Sequence, residues 1–135
     1  MNKIKKTFVF SLIALVSLQA AAGCLTSVND SKILGKLVSL NNSYGDVPST
    51  VSCTNPKGAA EKIICSSDRL QAMELLDTKA YVYAVENATG TETSHKKIKD
   101  GDWIKKVRNQ CHTKECLCEA FKSHTEESGF ELSED

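Results

Sequence analysis

Apolar residues recur at three-to-four spacing through the middle of the chain. In SSDRLQAMELLDTKAYVYAVENA that spacing runs through Leu70, Met73, Leu76 or Asp77, Ala80 or Tyr81, and Ala84. It predicts an amphipathic helix over 67–88, closed by the turn residues Thr89, Gly90 and Thr91. Just before it, GAAEKIIC predicts a short helix. Gly58 stands at the N-cap and Glu61 three residues on, half of a capping box. Further upstream, SKILGKLVSL places Ile33, Leu34, Leu37, Val38 and Leu40 on one helical face. Gly35 weakens that helix, and a short strand pair fits the same run. The stretch 41–51, with Asn41, Asn42, Gly45 and Pro48, reads as a loop.

A polar linker covers 89–102. Asp100 or Asp102 then caps a helix whose apolar face holds Trp103, Ile104 and Val107. CHTKE interrupts it. CLCEAFKSHTEE resumes with Leu117, Ala120 and Phe121 on one side, and the acidic end SGFELSED is expected to fray. The pattern as a whole predicts an all-α domain, a small disulfide-stapled hairpin or bundle of three to four helices.

The first residues follow a different pattern. Lys3, Lys5 and Lys6 precede an uncharged, mostly apolar run over 8–18, and small residues follow over 20–23. This is the arrangement of a secretory signal, and the run is too short to span a bilayer. Ala20-Ala21-Ala22 fits an A-x-A cleavage site with Gly23 as the first mature residue. AAGC also resembles a lipobox, which makes Cys24 the alternative, lipidated end. The chain divides accordingly into a signal (1–22), an extension of open structure (23–52), a helical domain (53–126) and an acidic tail (127–135). Export to a periplasm, a cell envelope or the medium is the expected location. Membrane contact follows only if Cys24 is acylated.

Composition narrows the function classes. The 17 basic and 17 acidic residues balance, and removal of the three signal lysines leaves the mature chain acidic by three charges. That argues against a nucleic-acid partner and mildly favours a basic one. The basic run Lys96, Lys97, Lys99, Lys105, Lys106 and Arg108 reads as a solvated face. So small a domain buries a modest core, and covalent staples are expected to support it.

The chain has six cysteines. Cys111, His112, Cys116, Cys118 and His124 offer zinc donors, but C-x4-C-x-C-x5-H matches no standard zinc spacing, and no metal or other cofactor is expected. Redox chemistry needs C-x-x-C, which is absent. Structural pairing fits better. Cys53 and Cys65 bracket a turn and a short helix; Cys111 and Cys116 bracket a helix break. Each pair can close a short loop, leaving Cys24 and Cys118 to pair if Cys24 is not acylated. The sequence leaves connectivity open. No nucleophile–base motif surrounds His95, His112 or His124, each read as a solvated histidine. Glu61, Glu74 and Asp77 read as solvated or capping helix acids, and Tyr81 and Trp103 as packing residues. The chain is not expected to be an enzyme.

These residues together resemble a known family. C53-TNPKGAAEKI-I64-C65, then Leu70, Met73-Glu74 and Tyr81, followed by Trp103-Ile104, Arg108, Cys111, Cys116-Leu117 and Phe121, look like the LprI-type lysozyme-inhibitor domain. The resemblance spans about 53–124. It implies a small exported helical domain with two cysteine pairs, one that inhibits lysozyme or another peptidoglycan hydrolase by binding it. The loops at Cys53–Cys65 and Cys111–Cys116 are the candidate contact surfaces, and Asn55, Lys57, His112 and Lys114 the candidate contacts. The alternatives are an envelope-binding or immunity protein with a bacterial partner, and a structural envelope domain with no dedicated target.

Overall fold

A computed structural model describes residues 23–90 and 98–133. The signal (1–22), His95, Lys96 and Lys97 lie outside the described residues. Six helices occur among the described residues: α1 (Cys24–Ser27), α2 (Asp30–Tyr44), α3 (Ala59–Cys65), α4 (Asp68–Thr89), α5 (Gly101–Lys106) and α6 (Lys114–Glu127). A 3-10 turn, Arg108–Gln110, joins α5 to α6. No strand is present among these residues; one isolated bridge links Val28 to Ser133. None of the helices is long and apolar enough to cross a membrane.

Side chains set most of the helix starts. Asn29 accepts the Ser31 and Lys32 amides at α2. Ser67 accepts the Leu70 amide at α4, Asp100 the Trp103 amide at α5, and Thr113 the Cys116 amide at α6. Each such cap satisfies an amide with no partner inside its helix and contributes about 1 kcal/mol. At α3 the cap is Gly58 with φ 88°, a conformation that costs glycine little. Glu61 reaches back to the Lys57 amide at 2.8 Å. Gly90, in the left-handed conformation, ends α4.

The long helix α4 is the centre of the molecule. It packs against α2 on one side and α6 on another, with α3 leaning on it. Leu70, Met73, Leu76 and Ala80 are fully buried. One continuous core joins Leu70, Met73 and Leu76 to Ile33, Leu37 and Leu40 of α2, Ile64 of α3, and Leu117 and Phe121 of α6. Residues 23–52 therefore share the core of the helical domain. On α2, though, Leu34 and Val38 are 58% and 64% exposed. The buried stripe follows 33, 37 and 40. Residues 34 and 38 stand one helical step, about 100°, off it.

The acidic end also departs from expectation. Gly129, at φ 97°, turns the chain back after α6. Phe130 then meets Tyr83 edge-on at 5.2 Å, Leu132 is completely buried, and Lys32 donates to the Ser133 carbonyl. Residues 128–133 do not fray, because two apolar side chains among the acids find the core.

Three disulfides tie the elements together: Cys24–Cys118, Cys53–Cys65 and Cys111–Cys116. The first anchors α1 to α6, the second holds a loop to the end of α3, and the third spans the break before α6. No cysteine among the described residues is free. Such a set fits an oxidising, exported environment. The Cys24 sulfur is occupied by Cys118, and a thioether at the same sulfur and this disulfide exclude each other.

Candidate functional site

One face of α4 carries Glu74, Asp77, Thr78 and Tyr81, again at three-to-four spacing. Its neighbours are the 49–51 segment, α5, the 3-10 turn and α6, so this polar stripe is enclosed. Glu74 accepts four hydrogen bonds: Ser49 Oγ at 2.6 Å, the Thr50 amide at 2.9 Å, Thr50 Oγ1 at 2.7 Å and Thr78 Oγ1 at 3.1 Å. Arg108, 3% exposed, donates to Thr50 Oγ1 at 2.7 Å and to Asn109 at 3.1 Å. Burial lowers its pKa, opposed by the nearby charges of Glu74, Glu61 and Asp77. The cluster thus neutralises itself across three elements.

His124 joins a second set. Its Nδ1 lies 2.7 Å from Asp77 Oδ1 and its Nε2 3.0 Å from Asp100 Oδ2. Thr125 Oγ1 also donates to Asp77 Oδ1. The Trp103 ring stacks on the imidazole at 4.0 Å and 11°, and Tyr81 lies near-parallel at 5.6 Å. Burial acts to lower the His124 pKa, but hydrogen bonding and attraction from Asp77, then Asp100, outweigh it and hold it above the ordinary value. Burial pushes the Asp77 carboxyl up, with His124 and Thr125 holding it back. When His124 is protonated, both ring nitrogens donate, one to each carboxylate, and the stack on Trp103 gains a cation–π contribution.

This cluster encloses almost no space. The cavity among Thr50, Glu74, Asp77, Tyr81, Trp103 and His124 is about 10 Å³, at the lower bound for one water. With both ring nitrogens committed to carboxylates, His124 presents no free base to a substrate. What the arrangement does is clamp: one imidazole ring joins α4, the cap of α5 and α6.

The sequence reads His124 and Arg108 as solvated and Glu74 and Asp77 as solvated or capping helix acids, and all four are buried. Glu61 is buried too, and it does reach back to the start of α3 as the half capping box implies. The signal that could have found the two acids of α4 is Glu74, Asp77, Thr78 and Tyr81 forming a stripe on a helix that also bears an apolar stripe. A helix enclosed on both stripes must pair its charges internally.

The candidate contacts sit elsewhere. Asn55, Lys57, His112 and Lys114 are all exposed. Asn55 and Lys57 lie in the loop closed by Cys53–Cys65, and His112 within that closed by Cys111–Cys116, with Lys114 opening α6. The helix α3 packs on both the 3-10 turn and α6, so the elements carrying the two loops touch. Beside Cys53, a groove of about 440 Å³ runs between α2 and α4, lined by Leu37, Val51, Ile64, Ala72 and Leu75.

Comparison with known proteins gives no match to a family model, to a curated protein or to a solved structure.

Proposed function

We propose that this chain is an exported inhibitor of lysozyme, or of another peptidoglycan hydrolase, acting by binding and not by catalysis. The observation that carries this reading is a pair of exposed loops, each closed by its own disulfide and borne on elements in mutual contact. The resemblance of the cysteine frame, Tyr81 and Trp103 to the LprI-type inhibitor domain names the target class.

The physical case is preorganisation. A loop already fixed in its bound shape loses little conformational entropy when a partner covers it. Lysozymes cleave with paired carboxylic residues in a cleft, and Lys57 and Lys114 supply cations that such a cleft attracts. Asn55 and His112 add hydrogen bonds at its rim. The periplasm, the cell envelope or the medium is where the protein would meet such an enzyme.

Substitution of both lysines, Lys57→Ala with Lys114→Ala, tests the assignment. Neither side chain is part of the core, so the fold should persist. A rise of tenfold or more in the inhibition constant is expected. Unchanged inhibition would remove these loops from the contact surface.

A further inference from the structure

The first turn of α6 holds a carboxylate oxygen that the fold leaves unsatisfied. Glu115 accepts the Leu25 amide through Oε2 at 3.4 Å, while its Oε1 is buried with no hydrogen-bond partner. A buried carboxylate oxygen without a donor is costly and calls for an explanation. This one faces Gly23: a β-carbon placed on Gly23 would stand 2.0 Å from Oε1. Since the nitrogen and β-carbon of one residue are about 2.5 Å apart, Oε1 lies within about 4.5 Å of the Gly23 nitrogen.

Gly23 is also the residue that follows the A-x-A site. Its carbonyl accepts the Thr26 and Ser27 amides and the Thr26 hydroxyl, which fixes its position at the start of α1. Within an uncleaved chain its nitrogen is a neutral amide with one hydrogen. At a chain start it is an ammonium, with a full charge and three donors.

We propose that export processing cuts between Ala22 and Gly23, and that the new α-ammonium of Gly23 docks on Glu115 Oε1. A signal peptidase adds water across the Ala22–Gly23 amide, leaving a carboxylate on Ala22 and the protonated amine on Gly23. The ion pair then fastens the mature terminus to α6, beside the Cys24–Cys118 bond that joins the same two elements. Glycine suits the position because any side chain would have to displace Glu115 before the ammonium could approach. Processing thus supplies the one group that completes the start of α6.

The test begins with the full chain, exported and purified with its disulfides intact. Its mass should correspond to a start at Gly23. A product beginning at an acylated Cys24, or at any other residue, would overturn the proposal. Titration of the α-amine, by NMR or by its acylation rate, should give a pKa above the free-amine range in the wild type. Glu115→Gln should return it to that range. Glu115→Gln should also lower Tm in the free-amine protein but not in the same protein acetylated at Gly23. If Glu115→Gln fails to fold, Glu115→Asp gives the pKa readout and N-terminal acetylation of the wild type gives the Tm readout. An α-amine pKa indifferent to residue 115 and to that carboxylate's length would also overturn it. None of these outcomes depends on lysozyme inhibition.

Discussion

Protonation of His124 governs how firmly three helices are held. The imidazolium bridges Asp77 and Asp100; once neutral, one ring nitrogen turns a lone pair toward a carboxylate. Its folded pKa lies above the ordinary 6.5, so its stabilisation is fully present below about pH 6.5 and is lost as pH rises through the folded value. Asp77, raised from 3.8 by burial, adds a separate loss of stability that begins as pH rises above 3.8. Tm should therefore fall as pH rises above 6.5, and His124→Gln should flatten that slope. Trp103 is the only tryptophan and stacks on the ring, so its emission should titrate with the same midpoint. A wild-type profile identical to that of His124→Gln would contradict the assignment. Removing the acid is harsher. Asp77→Ala deprives a buried cation of its nearest partner and should cost about 3–5 kcal/mol by urea unfolding. These residues were hidden in the sequence because each partner sits on a different element. Nothing local to His124 or Arg108 indicates the carboxylates of α4.

At the scale of the element, the long helix was the most legible feature. Leu70, Met73 and Leu76 mark its buried stripe, and Ser67 and Gly90 mark its ends. The short elements were less so. A narrow stripe on α2 buries Ile33 and Leu37 and leaves Leu34 and Val38 outside, and periodicity over ten residues does not separate neighbouring stripes. Composition alone misleads at the end of the chain: its acids are conspicuous, while Phe130 and Leu132 do the packing. Leu132→Ala should accordingly destabilise the protein by about 2–5 kcal/mol, as for a core leucine; a change within 0.5 kcal/mol, the usual size for a surface position, would mean that the end frays after all. The staples differ in reach. Cys111–Cys116 closes a loop of sequence separation 5 and Cys24–Cys118 one of 94. In the chain-entropy account, replacing the first pair by serine should cost about 2 kcal/mol and the second about 4.7 kcal/mol. Denaturant midpoints of the two double variants would show the order, and a reversal would place the dominant effect of the cross-links in the folded state.

Among the described residues the molecule is a disulfide-tied helical body, with the Asp77–His124–Asp100 set inside and two closed loops outside. α4 is the axis: its apolar stripe makes the core and its polar stripe the clamp. Disulfide-closed loops of that kind suit a protein that acts by fitting another surface, and the space inside the polar cluster is about 10 Å³. The inhibitor reading therefore rests on what the loops can cover. The most direct test is titration of the oxidised mature protein against c-, g- and i-type lysozymes, with the three disulfides verified by mass. Submicromolar inhibition of one class, weakened when the loop disulfides are reduced, is the predicted result. No inhibition of any class by the intact, fully oxidised protein would contradict it.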